Sequence, residues 1–120
     1  MLKCLLDGTA RVSALADGKI TSRDFLQAYG NFYYYNALDG HEATPEQQEV
    51  LQDNVEVCWL HERVQSIVDL VYTSDEPKSE YEAVGRIRDD EAGRRIVTLA
   101  EEMDVSSLIS KLRIQIDESD

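Results

Sequence analysis

The apolar positions of this chain recur at helical intervals. Leu2, Leu5, Leu6, Thr9, Val12 and Ala16 follow a three-and-four spacing that puts them on one face of a first amphipathic helix ending near Ala16. Gly8 weakens that helix slightly. Asp17-Gly18 then supplies residue types that end a helix with positive φ, and Thr21 with Asp24 three positions later has the form of an N-cap box. Phe25, Leu26, Tyr29, Phe32, Tyr33 and Asn36 repeat the spacing in a second helix, expected to end near Leu38, before Asp39-Gly40. Its other face carries Tyr34 and Tyr35. Three consecutive tyrosines cannot all face one core from a helix, so at least one belongs at the surface with its hydroxyl in water, a candidate contact residue.

Thr44-Pro45-Glu46-Gln47 is the clearest helix start: Thr44 as N-cap, Pro45 at the first helical position, Gln47 closing the box. A long third helix is predicted from here to about Tyr72. Val50, Val57, Val64, Val68 and Val71 form its main stripe, and Leu51, Val55, Cys58, Leu60 and Ile67 widen it, so it should be central and contacted on more than one side. Thr73 to Ser79 combines Pro77 with turn-forming polar residues and reads as a loop. Glu80 to Arg88 is ambiguous. Asp89 or Asp90 can cap a fourth helix whose apolar side is Ala92, Ile96, Leu99, Ala100 and Met103. Val105 to Ile116 reads as a last helix with Asp104 as cap, although the alternation of Leu112, Ile114 and Ile116 also suits an extended tail. The expected fold is all-α: an antiparallel bundle of four to five helices in one domain, 1–120, with 104–120 an extra helix or a tail.

Composition adds charge to this picture. Apolar residues make up 42% of the 120, enough for one core, but 24 Asp and Glu against 12 Lys and Arg leave a net charge of −12. Such a surface repels nucleic acid and anionic membrane and speeds the capture of basic partners. Solubility alone is the competing explanation for the same charge. From 45 to 76, Glu46, Glu49, Asp53, Glu56, Glu62, Asp69, Asp75 and Glu76 face a single base, Arg63. Glu46 and Glu49 suit the positive end of the helix dipole, whereas Asp69, Asp75 and Glu76 fall where the dipole disfavours them, which makes them better candidates for partner contact. Arg86, Arg88, Arg94 and Arg95 are interleaved with Asp89, Asp90 and Glu91, a pattern that favours internal pairing over phosphate binding. Only Cys4 and Cys58 are present, which suits a reducing compartment, and Asp7 and Arg11 interrupt the apolar N-terminus short of signal or membrane-spanning length. A cytoplasmic location is expected.

Chemical motifs do not survive inspection. Asp17-Gly18-Lys19-Ile20 looks like part of a calcium loop, but setting Gly18 at the invariant glycine puts Ser13 and Leu15 at the first and third ligand positions and Asp24 where a bidentate Glu is required. Cys58 and His61, even with Cys4 and His41, match no zinc spacing, and a small buried thiol and a hydrogen-bonded histidine are ordinary core residues. His61-Glu62 lacks the second histidine of a zinc protease, and neither a nucleophile with a positioned base nor a glycine-rich phosphate loop is readable. Trp59 reads as a packing anchor, or as an interface residue if exposed. No cofactor and no metal are expected, and the chain does not read as an enzyme.

Leu15, Gly18-Lys19-Ile20-Thr21 and Asp24-Phe25, followed by the acidic stretch Asp69 to Glu76, Tyr81-Glu82 and the arginine-bearing segment Ala92 to Met103, carry a resemblance. In their order they resemble the colicin D-type immunity family, small α-helical proteins that inhibit a bacterial ribonuclease toxin. The segment from Asp104 and the tyrosine-rich second helix depart from the smaller members. The resemblance implies an acidic surface that stands in for the RNA backbone and covers a basic cleft, with Asp69, Asp75, Glu76, Glu80 and Glu82 as partner-binding candidates beside Tyr34 and Tyr35. Preorganised carboxylates can engage phosphate-binding Lys and Arg by charge-assisted hydrogen bonds. The expected partner is a basic protein toxin of nuclease type, with neither nucleic acid nor membrane bound and the chain a monomer or weak homodimer. A phage-encoded DNA mimic directed at a nuclease defence system, or a helical regulatory or scaffold module pairing through Tyr33 to Tyr35, are the alternatives.

Overall fold

A computed structural model describes residues 1–71 and 78–119, and they form an all-α bundle. The elements are α1 (Leu2–Ala16), α2 (Ser22–Tyr29), α3 (Phe32–Tyr35), α4 (Pro45–Asp53), α5 (Val55–Val68), α6 (Lys78–Ala83), α7 (Asp89–Glu102) and α8 (Val105–Ser119). Helix α1 is the hub: its buried face, Leu5, Thr9, Val12 and Leu15, packs against α8, α7, α2 and α5. The other long helices answer with Leu60 and Val64 from α5, Ala92 and Ile96 from α7, and Leu108 and Leu112 from α8, all in one apolar cluster except Ala92, which is buried as well.

Local chemistry sets the helix ends. Gly18 at φ +74° follows α1, with Lys19 N–H donating to Ala14 O at 2.9 Å and Gly18 N–H to Leu15 O at 3.1 Å, the paired bonds of a Schellman turn. Thr21 Oγ1 accepts from Asp24 N at 3.1 Å to open α2, and Thr44 and Gln47 form a reciprocal box at 3.2 and 2.9 Å to open α4.

Elsewhere the expected boundaries move. The second helix is two, broken at Gly30 and Asn31, where Gly30 takes φ +51°. The third is also two. At Asn54 the side-chain Nδ2 donates both to Val50 O in the preceding turn and to Gln115 Oε1 of α8, each at 2.9 Å, and Oδ1 accepts from Gln115 Nε2 at 2.8 Å, so the helix breaks where this tertiary contact is made although its apolar stripe runs on. Helix α5 stops at Val68, and α6 begins at Lys78, inside the stretch read as loop. Arg88, not Asp89 or Asp90, stands at the N-cap of α7; the two aspartates instead accept from the backbone N–H groups of Asp90 and Glu91 at 2.8 and 2.9 Å. Residues 105–119 are helical, excluding the extended tail, and Asp104, at φ +51°, accepts from Ser107 Oγ at 2.7 Å. Val71 and Ile87 form an isolated parallel bridge, with Ile87 N–H donating to Leu70 O at 2.9 Å, which ties the end of α5 to the start of α7.

Two glycines are steric requirements. A Cβ at Gly8 would lie 2.3 Å from Phe32 Cζ, and one at Gly93 would lie 1.9 Å from Ser22 Oγ. Gly8 thus admits the Phe32 ring against α1, and Gly93 admits the first turn of α2 against α7.

Candidate partner-binding surface

The tyrosine segment gets its orientation from one aromatic residue. Phe32 is drawn inward, its ring over Gly8, 5.3 Å from the Tyr29 ring and 4.8 Å from the His61 ring. Each later residue turns about 100° around the helix, so Tyr33 stays partly buried while Tyr34 and Tyr35 rotate into solvent. Tyr34 is 56% exposed and Tyr35 88%. A second Schellman turn holds this single turn of helix in place: Ala37 N–H donates to Tyr34 O and Leu38 N–H to Tyr33 O, both near 3.0 Å, and Leu38 is buried.

Helix α3 packs on α5, which carries exposed apolar side chains of its own. Val55, Cys58, Trp59 and Glu62, three and four apart, share one stripe of α5. The stripe was expected to bury Val55, yet Val55 is 41% exposed and Trp59 53%. A groove of about 490 Å³ lies beside it, between Val55 and Cys58 on one side and Leu38 and Asp39 on the other, with Leu51 at its floor. Tyr33 connects the two helices: burial, then the nearby carboxylates of Glu62 and Asp39, hold its hydroxyl above its ordinary pKa, and its ring meets that of Tyr34 edge-on at 5.2 Å. From Arg23 to Arg63 the chain carries no Lys or Arg between the two, while Asp24, Asp39, Glu42, Glu46, Glu49, Asp53, Glu56 and Glu62 all fall there. This apolar surface therefore lies in the most one-sidedly charged part of the sequence.

Of the other candidates, Asp69 stands at the far end of α5. Asp69 is exposed at its C-cap, and the cost of its charge there is offset: Gln65 Nε2 donates to Asp69 Oδ1 at 2.9 Å, and Arg86 Nη1 donates to the Asp69 carbonyl, bringing positive charge to the helix terminus. The local argument for Asp69 as a contact residue thus has a structural counterpart. Glu80 and Glu82 are exposed on α6, and Asp75 and Glu76 lie outside the described residues. Glu82 lines a groove with Arg86, Arg88, Arg94 and Arg95, so carboxylates and guanidiniums are mixed at this end. Glu91 accepts from Arg94 at 2.6 Å and from Arg95 at 3.2 Å, which lowers the carboxyl's pKa, and Asp90 stands 3.7 Å from Arg94. Arg94 and Arg95 are paired internally, as their spacing suggests, while Arg86 bonds the Asp69 carbonyl.

Beneath the surface, His61 is fully buried in an ordered chain of hydrogen bonds. Thr9 Oγ1 gives its proton to Leu5 O at 2.7 Å, so it accepts from His61 Nε2–H at 3.0 Å. Nδ1 then accepts from the Tyr29 hydroxyl, also at 3.0 Å. Burial pushes the His61 pKa down to about 3 and that of Tyr29 up, so both are neutral. The chain links α1, α2 and α5 and gives no approach to a substrate. Cys58 is half-buried, with a thiol pKa raised by burial, which leaves it in the unreactive form. Among the described residues no three His, Cys, Asp or Glu side chains converge to hold a metal ion, and no helix is long and apolar enough to cross a membrane.

Compared with models of protein families, with curated proteins and with solved structures, the chain matches none. Exposure gives Trp59 the second of its two sequence readings, an interface residue, whereas Val55 extends a stripe that reads as core and its exposure was not foreseen. The available signal was the absence of bases from Arg23 to Arg63.

Proposed function

We propose that this chain is an inhibitory binding protein, not an enzyme, and that it blocks the basic active-site cleft of a ribonuclease-type toxin by presenting carboxylates in place of phosphates. The observation that carries this reading is the net charge of −12 together with a base-free stretch that contains exposed aromatic side chains. Long-range attraction brings a cationic partner to such a surface quickly, and aromatic anchors supply contact area that charge alone does not. The resemblance of the Gly18 to Phe25 segment to the colicin D-type immunity family supports the same assignment.

The test is to recover what the untagged protein binds tightly in a lysate of its own source and to assay that partner for RNA cleavage. A small basic protein whose cleavage of RNA stops at stoichiometric addition of this chain is the expected result. A large nuclease or polymerase complex in the captured material would instead favour the DNA-mimic reading.

A further inference from the structure

We infer that the face formed by Tyr34, Val55 and Trp59, with the adjoining Leu38–Cys58 groove, docks a segment of a basic partner protein that inserts one apolar side chain flanked by Arg or Lys. The choice of a basic partner rests on the inhibitor reading; the location and the apolar insertion rest on geometry. Three large apolar side chains stand in water here at 56%, 41% and 53% exposure. The groove beside them has Leu51 at its floor and about 490 Å³ of space, ample for a Leu or Phe side chain. The exposed Trp59 indole, next in sequence to the groove-lining Cys58, suits an arginine, because a guanidinium stacks on an aromatic face while its N–H groups reach neighbouring carboxylates. Asp39 lines the groove, and Glu62 lies one turn of α5 from Trp59.

Charge selects among occupants. A second copy would bring Asp39 and Glu62 of one chain against the same residues of the other, and Lys111, the base that shares a groove with Val55, already stands 3.7 Å from Glu56. Arg63, the first base after the base-free stretch, places Nη1 4.0 Å from Met103 Sδ, toward α7 rather than toward this groove. An acidic or nucleic-acid partner meets the same repulsion. A cationic segment with an apolar residue satisfies both the groove and its rim.

A random heptapeptide library displayed on phage, panned against the full chain, tests this. The enriched peptides should carry Arg or Lys beside one Leu, Phe or Trp. Made as free peptides, they should lose at least tenfold in affinity for Val55→Asp, Trp59→Ala and Tyr34→Ala, all exposed positions whose far-UV circular dichroism should match the parent. Val84→Ser, at an exposed apolar site in the segment between α6 and α7, should stay within twofold. Enrichment of no peptide, of cationic peptides without an apolar residue, or of peptides that bind every variant equally would overturn the assignment. So would sedimentation showing a dimer of the parent that Trp59→Ala dissolves, which gives the face to a second copy. If the peptides dock but the partner captured from lysate does not cleave RNA, the surface stands and the toxin reading falls; if a basic ribonuclease binds Val55→Asp and the parent alike, the reverse holds.

Discussion

Two residues in this chain sit in environments that would be costly without their neighbours. His61 is held neutral with a pKa near 3, against an ordinary value of 6.5. Because the folded state refuses a proton that the unfolded chain accepts, stability is complete above about pH 6.5 and falls as the pH drops toward 3. Between pH 7.5 and 5, before most carboxylates titrate, the loss should be about 2 kcal/mol. Urea unfolding across that range measures it, and His61→Phe should flatten the dependence even though it lowers stability. Ala37 is the second case. It occupies the left-handed position of the turn after α3 at φ +56°, where a glycine is the usual residue. Ala37→Gly should therefore stabilise the protein by about 1 kcal/mol, read as a rise of a few degrees in melting temperature.

At the level of elements, the boundaries that depend on adjacent residues were legible. Asp17-Gly18, Thr21 and Thr44-Pro45-Gln47 act through bonds within six positions of themselves, so their residue types are nearly sufficient. The break at Asn54 was hidden because the side chain that Asn54 bonds there, Gln115, lies far along the chain, and the apolar spacing from Leu51 to Val57 gives no sign of it. Gly8 illustrates the same limit from the other side. Its propensity reads as a weakness in α1, whereas its small size is what seats Phe32 and thereby turns Tyr34 and Tyr35 outward. That at least one of the three tyrosines is exposed was readable from three aromatics in a row, and Trp59 was left open between core and interface; the exposure of Val55 was not readable, since helical spacing alone cannot tell a wide buried face from a narrow one with an exposed border. The Asn54–Gln115 pair can be tested as a unit. Asn54→Ala or Gln115→Ala each strands a partly buried amide and should cost about 1–3 kcal/mol, while the double variant should cost less than the sum by about 1 kcal/mol in a denaturation cycle.

For the whole molecule, charge is the dominant property. With a net −12, capture of a basic partner should slow about tenfold or more between 50 and 500 mM salt, mostly through the association rate, as stopped-flow mixing would show. Replacing Asp75 and Glu76 by Lys should reduce that salt dependence if their end of the chain meets the partner, with helical content unchanged. Equal treatment of Asp39, which lines the Leu38–Cys58 groove, and of Glu62, one turn of α5 from Trp59, separates the two candidate regions.

The position of the only tryptophan has a spectroscopic consequence. Trp59 already has about half of its side chain in water when the protein is folded, so unfolding changes its surroundings little. Its emission should shift by only a few nanometres in denaturant while the far-UV ellipticity collapses. A partner that covers the indole should move the same emission to the blue. In this protein intrinsic fluorescence is a gauge of association and nearly silent about folding.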